Sequence, residues 1–195
     1  VMYWPRMNSD IEETVKNCTK CAQFQKAQQS EPLKGTVPPD LPFQEVATDL
    51  FEFESKMYLI TVDYYSRFIE VDLLKNITSG TVTETLESQF SRHGIPVVLR
   101  SDTGSQFSSQ KFSNFCKGYG IKHYMSSPHL HQSNGEAERA VQTVKLLWKK
   151  GTDKHLALLD YRTTPLEGIN LSPAQLLMGL QLQVFLNLHL TIAKK

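Results

Sequence analysis

The sequence predicts an α/β fold with a mixed sheet of five strands and helices flanking both of its faces. Three strand-like runs, 46–51, 57–63 and 68–73, follow one another at hairpin spacing and predict an antiparallel meander. Two shorter apolar runs, 97–99 and 121–125, are separated by helical patterns, which is typical of strands buried on both faces. The predicted order is therefore β-β-β-α-β-α-β-α.

The helices are predicted from the spacing of apolar residues and from residues that begin or end a helix. Val82, Leu86 and Phe90 recur every four residues within 79–92, which ends before a glycine and a proline. Further helices are expected at about 109–119, 134–150 and 156–161. Ser172 begins a last helix, with a proline in the first turn and a glutamine that completes a capping-box pattern.

Composition divides the chain into four parts. Residues 1–29 contain a short predicted helix that leads to Cys18 and Cys21. Residues 30–42 hold four prolines and one glycine, which favours an extended linker. We assign 43–165 to the folded core, and 166–195 to a C-terminal helix and an atypical tail whose alternating apolar residues predict an exposed strand edge.

Length and composition indicate an intracellular globular protein. Of the 195 residues, 40% are hydrophobic and 21% are charged. The chain begins at Val1 without a secretory leader and has no apolar run long enough to cross a bilayer, so we expect a fragment that is neither secreted nor membrane-bound. Three cysteines argue against a disulfide framework, and Cys116 is expected in the core because it lies on an apolar helical stripe.

Charge is unevenly distributed along the chain. Residues 40–72 carry eight acidic and two basic residues, whereas 111–154 carry eight basic and three acidic residues. A basic half suits phosphate contacts and an acidic half suits metal binding, but two solvated faces would give the same pattern.

Three acidic residues lie in sequence contexts from which they could form one active site. Asp49 lies inside a predicted strand, Asp102 follows an apolar run, and Glu138 lies near the start of a helix, with 35 residues between the last two. A fold that brings them together could hold two Mg²⁺ ions for phosphoryl transfer, because Mg²⁺ prefers oxygen ligands. Each acid taken singly is more often a surface residue.

The motifs around these acids resemble those of one family. Thr48-Asp49-Leu50, residues 101–107 (Ser-Asp-Thr-Gly-Ser-Gln-Phe) and residues 134–139 (Asn-Gly-Glu-Ala-Glu-Arg) are similar to the signature of the integrases of gypsy-type LTR retrotransposons and retroviruses. The spacing of 35 residues also matches the catalytic core of that family. The resemblance extends from about Tyr3 to Met178, and the chain is interpreted as a truncated copy.

The resemblance implies a ribonuclease H-like fold and metal-dependent polynucleotidyl transfer, in which retroelement DNA ends are processed and joined to target DNA. Asp49, Asp102 and Glu138 would be the catalytic residues and would bind Mg²⁺ or Mn²⁺. It also implies a homo-oligomer and a nuclear location. The alternative is a catalytically inactive integrase-derived fragment that still binds nucleic acid, and a ribonuclease or transposase of the same fold is a third interpretation.

Three residues on the helix of Glu138 are candidate DNA contacts. Gln142, Lys145 and Lys149 lie four, seven and eleven residues after Glu138 and share its helical face. The resemblance implies that these positions contact DNA, with Lys145 as the best candidate for a phosphate contact. A solvated helix face would show the same spacing.

Cys18 and Cys21 have the spacing of zinc ligands, but a tetrahedral site needs four. The resemblance implies that they close a His-His-Cys-Cys zinc-binding helical module of which 1–29 is a remnant. Zinc would then bind only if the missing histidines were supplied by a preceding segment.

Other polar residues near the predicted site are left out of it. Asp63 and Glu136 do not fall at positions that match the family. His123, His129 and His131 are interpreted as hydrogen-bonded or solvated side chains rather than metal ligands. Phe107 is expected to be buried under the Asp102 turn, and Gln106 could reach DNA instead. The connection at 148–153 is shorter than usual and predicts strain in the helix that follows.

Overall fold

The computed structural model describes residues 4–17, 39–126, 135–151 and 153–182. The chain divides into two compact units, Val1–Val37 and Pro38–Lys195. No helix within the described ranges is long and apolar enough to span a membrane.

The first unit contains the predicted short helix, α1 (Met7–Lys16). Asp10 lies in its first turn, where a negative charge favours the helix, and accepts a hydrogen bond of 2.9 Å from the indole of Trp4. The two cysteines of this unit lie outside the described residues.

The second unit has the predicted succession of strands and helices. Its described strands are β1 (Glu45–Phe53), β2 (Lys56–Asp63), β3 (Ile69–Leu73), β4 (Val98–Ser101) and β5 (Lys122–Met125). Its described helices are α2 (Ser79–His93), α3 (Ser105–Ser108), α4 (Gln110–Gly118), α5 (Gly135–Lys150), α6 (Lys154–Thr163) and α7 (Pro173–Met178). Only α3, a single turn between β4 and α4, was not predicted from the sequence.

The strands form one mixed sheet in the order β3-β2-β1-β4-β5. β1 and β2, and likewise β2 and β3, pair in the antiparallel sense, which confirms the predicted meander. β4 pairs in parallel with β1 on one side and with β5 on the other. β1 is therefore the central strand and is hydrogen-bonded to a neighbouring strand on each side.

Hydrophobic clusters pack on both faces of the sheet, because consecutive side chains of a strand point to opposite sides. Val46 belongs to the cluster beneath α2 and α4, while Ala47 belongs to the cluster beneath α5 and α6. Cys116 is 3% exposed within the first cluster, so its predicted core position is confirmed. Burial raises the pKa of its thiol to about 11.

Local signals at the helix ends agree with the sequence pattern. Ser172 and Gln175 form the reciprocal hydrogen bonds of the predicted capping box at the start of α7. Thr78 caps α2 by accepting a hydrogen bond from the backbone N–H of Thr81. Gly94 ends α2 with a φ of 98°, a conformation that favours glycine.

The short connection from α5 to α6 is closed by specific contacts. Asp153 caps α6 by accepting hydrogen bonds from the backbone N–H groups of His155 and Leu156. The Trp148 indole donates a hydrogen bond of 3.1 Å to the carbonyl of Lys154. The helix that follows, α6, is a capped helix of 10 residues, and residue 152 of the connection lies outside the described residues.

The ammonium group of Lys154 lies among aromatic rings at this connection. Its nitrogen is 4.7 Å from the ring centroid of Phe53, 5.2 Å from that of Trp148 and 5.8 Å from that of Tyr58. The carboxylate of Glu54 accepts a hydrogen bond from it at 2.5 Å. Cations are attracted to aromatic ring faces. Through its contacts with Lys154, Trp148 therefore links α5 to the start of α6 and to the β1–β2 hairpin.

Replacing Trp148 by alanine should lower the free energy of unfolding by about 3–5 kcal/mol, since a large buried ring would be lost from a packed cluster. Leu146→Ala on the same helix is the control, because Leu146 is exposed and its loss should change stability by less than about 0.5 kcal/mol. Urea unfolding followed by circular dichroism measures both. Equal losses in the two variants would contradict the anchoring role of Trp148.

Candidate active site

Strands β1 and β4 bring two of the predicted carboxylates to one level of the sheet. Their parallel pairing joins Ala47 to Arg100, and Asp49 and Asp102 each follow two residues later. Side chains two residues apart point to the same face of a sheet, so this register directs both carboxylates to the face that α5 covers. Both side chains are half-buried, which leaves them in reach of solutes.

Helix α5 supplies the third predicted carboxylate. Glu138 lies in its first turn and is exposed, while the neighbouring Ala137 and Ala140 are buried against the sheet. The charges of Asp102 and Glu138 both act on the carboxyl group of Asp49. Among the described residues, however, no three His, Cys, Asp or Glu side chains are grouped closely enough to hold a metal ion.

The Asp49 carboxyl group binds its proton more tightly than an ordinary aspartic acid side chain does. Burial raises its pKa to about 6, and the backbone N–H of Leu50, which donates to Asp49 Oδ1 at 2.7 Å, acts in the opposite direction. The charges of Asp102 and Glu138 raise the pKa further, whereas the charge of Lys145 lowers it. Burial and like charges both disfavour the carboxylate form, so Asp49 titrates at about pH 6.

A tight turn holds the Asp102 side chain. The backbone N–H of Gly104 donates to Asp102 Oδ1 at 3.0 Å, and the buried Ser101 hydroxyl donates to the Asp102 carbonyl at 2.8 Å. A Cβ atom at position 104 would lie 3.0 Å from the same carboxylate oxygen and would overlap the Gln106 side chain. Gln106 thus lies over Gly104, and Phe107, at 1% exposure, has the predicted buried position.

The three candidate DNA contacts on α5 differ in their surroundings. Gln142 and Lys149 are exposed, as a role in binding a large ligand requires. Lys145 is half-buried, lies 5.8 Å from the ring centroid of Phe51, and acts electrostatically on Asp49. Lys145 therefore lies close enough to Asp49 for its charge to act on that carboxyl group.

The two acids that were left out of the site have structural partners. Asp63 is completely buried and accepts hydrogen bonds from the backbone N–H groups of Phe43 and Ser66, both at 2.9 Å. Glu136 forms ion pairs with Arg67 and Arg139. Both carboxylates are thus engaged in stabilising the fold.

His123 is a packed side chain of β5. Its Nε2 atom lies 2.9 Å from the Ser101 hydroxyl, and its ring meets that of Phe112 edge-on, with 4.9 Å between the centroids. Burial lowers its pKa, which favours the neutral ring. The two other histidines that were not interpreted as ligands, His129 and His131, and the candidate zinc ligands Cys18 and Cys21 lie outside the described residues.

The structure adds a group of residues that the sequence reasoning missed. The guanidinium of Arg100 lies 5.8 Å from the ring centroid of Tyr64 and 5.6 Å from that of Tyr124, and it forms an ion pair with Glu45. Arg100 precedes Asp102 by two residues and so shares its face of the sheet. An arginine in an otherwise apolar strand was a usable signal, since charged residues are rarely buried without a partner. We call Tyr64, Arg100 and Tyr124 the tyrosine–arginine stack.

Comparison with known families shows where this arrangement occurs. Residues 39–131 match the integrase core domain, and residues 1–27 match the integrase zinc binding domain. The chain belongs to the integrase family. The match to the core domain contains Asp49 and Asp102, whereas Glu138 lies beyond its end. The resemblance that the motifs indicated is thereby confirmed.

Relatives of this integrase chain include proteins of retroviruses and transposons. An uncharacterized protein of Caenorhabditis elegans is 32% identical over 197 residues, which cover 96% of this chain and 16% of that protein. Pol polyproteins of murine leukemia virus and of a Drosophila melanogaster transposon are also related. The chain spans a minor part of the length of these relatives.

Solved integrase structures confirm the fold. A chain of the simian T-cell lymphotropic virus intasome, solved with a PP2A regulatory subunit, superposes with a TM-score of 0.69 at 21% identity, covering 91% of this chain and 69% of that one. The HTLV-2 integrase catalytic core domain, solved in complex with magnesium, has a TM-score of 0.58 at 22% identity, covering 70% and 97%. The predicted ribonuclease H-like five-stranded sheet is therefore confirmed.

Replacing Asp49 by asparagine should stabilise the metal-free protein at pH 8. The folded-state pKa of about 6 lies above the ordinary value of 3.8, so the contribution of this carboxyl to stability is present below pH 4 and is lost as the pH rises through 6. At pH 8 the variant should exceed the wild type by about 1–3 kcal/mol, and near pH 4 the difference should vanish.

Urea unfolding at pH 4, 6 and 8 in the presence of a chelator measures this effect. Glu52→Gln, which changes an exposed acid on the same strand, is the matched control and should leave the profile unchanged. A variant Asp49→Asn that is less stable than the wild type at pH 8 would show that the ionised carboxylate stabilises the fold.

Proposed function

We propose that this chain is the catalytic core of an integrase that processes retroelement DNA ends and joins them to target DNA by metal-dependent polynucleotidyl transfer. The observation that carries the proposal is that the charges of Asp102 and Glu138 act on the half-buried Asp49, whose pKa is raised to about 6. Grouping acids against their mutual repulsion costs stability, and strongly shifted pKa values of this kind concentrate at functional sites.

The donor set suits Mg²⁺ or Mn²⁺ in its chemistry. Asp49, Asp102 and Glu138 offer carboxylate oxygens, the ligands that these hard cations prefer. Asp49 and Asp102 would hold the cation from adjacent strands, and Glu138 would complete the site from α5. A pair of such ions, when bound, activates the attacking hydroxyl and neutralises the leaving oxygen of the phosphodiester.

Protonation of Asp49 would couple cation binding to pH. Near pH 6 the Asp49 carboxyl group holds its proton about half of the time, because burial raises its pKa to about 6. A carboxyl group must release its proton before it can ligate a cation. Cation affinity should therefore increase between pH 5 and pH 7 and then level off.

Helix α5 would guide the DNA backbone to the acids. Lys145 lies beside Asp49, where its ammonium group can bind a phosphate that approaches the carboxylates. Gln142 and Lys149 are exposed along the same helix and can bind neighbouring phosphates. The N–H of Gly104 keeps the Asp102 carboxylate oriented while this occurs.

Similar solved structures support the proposed cofactor and partners. The HTLV-2 core domain was solved with magnesium in dimeric and trimeric forms, and the simian virus chain belongs to an intasome. We propose by analogy that this chain acts as a homo-oligomer on retroelement and target DNA, in the nucleus where the target lies. The match of 1–27 to the zinc binding domain supports Zn²⁺ at Cys18 and Cys21 with histidines supplied from outside this chain.

One observation favours a second function, a fragment that binds nucleic acid without catalysis. Among the described residues no three potential ligands are close enough to share a metal ion. In that function the basic residues of α5 would bind DNA, and the acids would not assemble a reactive site.

A branched DNA that mimics a joined product tests the catalytic proposal. The wild-type chain should reseal it in the presence of Mg²⁺ or Mn²⁺, and Asp102→Asn should lose at least 100-fold in rate, because electrostatic stabilisation of the transition state depends on this group (on the order of 10²–10³ per lost contact). Asp40→Asn, which changes an exposed acid outside the site, is the control and should retain full activity. DNA binding without resealing by the wild type would establish the non-catalytic alternative.

Addition of Mg²⁺ should raise the melting temperature of the wild type at pH 8. A cation that binds only the folded state stabilises it by mass action, by about 2.7 kcal/mol at a hundred times the dissociation constant. Asp49→Asn should show a much smaller increase, since it lacks a ligand, although its metal-free form is expected to be the more stable one. Identical increases in both proteins would indicate binding elsewhere.

A further inference from the structure

The tyrosine–arginine stack lies beside the carboxylates on the same face of the sheet. Tyr124 pairs with Arg100 in the parallel β4–β5 ladder, two residues before the level of Asp102. With about 3.3 Å per residue along a strand and about 4.8 Å between strands, the backbone of Tyr124 is roughly 8 Å from that of Asp102. The stack is therefore within the reach of a nucleotide next to a reacting phosphate.

Tyr124 is the exposed member of the stack. It is 52% exposed although it lies on a sheet, and the guanidinium of Arg100 lies over its ring, 5.6 Å from the centroid. Helix α5 packs on β1 and β2, on the other side of the carboxylates. A half-exposed aromatic ring that is also in contact with a planar cation is a surface on which a nucleobase can stack.

The charge of Arg100 is already compensated. Its guanidinium forms an ion pair with Glu45, and both side chains are largely buried. A paired guanidinium is a poor competitor for phosphate, whereas its plane is still available to the rings on both sides. The chemistry of the stack thus favours a flat neutral group over a phosphate.

We propose that Tyr124, supported by Arg100, is a stacking platform for an unpaired base of the DNA strand whose phosphate lies at the carboxylates. The proposal rests on the proposed function, because it assigns the base next to the reacting phosphate to this surface. It predicts that the chain prefers DNA that is frayed or branched next to the joint. Since every base has a stacking face, the preference should depend little on sequence.

Equilibrium binding of a fluorescein-labelled branched DNA, measured by anisotropy without divalent metal, tests the platform separately from catalysis. Two otherwise identical substrates carry either an unpaired base or an abasic site next to the joint. Tyr124→Ala should weaken binding of the first roughly tenfold and leave binding of the second unchanged, given the strength of base–aromatic stacking. Tyr124→Phe, which keeps the ring, should bind both substrates as the wild type does.

Three results would overturn the proposal. Unchanged binding by Tyr124→Ala would show that the ring contacts no DNA, and equal losses on both substrates would show a contact to the backbone. A loss in Tyr124→Phe equal to that in Tyr124→Ala would assign the effect to the hydroxyl group. Thermal melting checks that both variants fold, which the exposure of Tyr124 favours. Failure of the wild type to reseal DNA would refute catalysis without affecting these binding results.

Discussion

The parallel pairing of β1 with β4 is the constraint on which the rest of the site depends. It fixes Asp49 and Asp102 at one level of the sheet, and a shift of one residue would turn one of them to the opposite face. The hydrophobic clusters on both faces oppose such a shift, because it would remove Val46 or Leu99 from the cluster in which it packs. Apolar packing thus sets the position of the acids and compensates for the unfavourable electrostatic interaction between them.

Opposing effects act on the pKa of Asp49 and partly cancel. Burial and two neighbouring acids raise the pKa of Asp49, while the backbone N–H of Leu50 and the ammonium of Lys145 lower it. The same lysine that we propose as a phosphate contact therefore also offsets part of the repulsion when no ligand is present. A divalent cation would replace Lys145 as the partner of the acids, and a phosphate would replace the acids as the partner of Lys145. Each ligand should therefore improve the binding of the other.

The sequence was informative wherever a signal is local. Strand and helix periods, the capping box at Ser172 and the packed position of Cys116 depend on residues a few places apart. The order of the strands and the tyrosine–arginine stack depend on contacts between distant segments, which no local pattern encodes. The contacts of Lys154 with the β1–β2 hairpin, which close the connection after Trp148, are also long-range and were not predicted.

The buried carboxylate of Asp63 has a consequence for how the core can be isolated. It accepts a hydrogen bond from the backbone N–H of Phe43, 20 residues earlier and just ahead of β1. A protein cut between Phe43 and β1 would keep the completely buried acid but lose this donor, at a cost of about 1–3 kcal/mol. The functional boundary of the folded core therefore lies on the proline-rich side of Phe43, and shorter fragments should express poorly even though every strand is present.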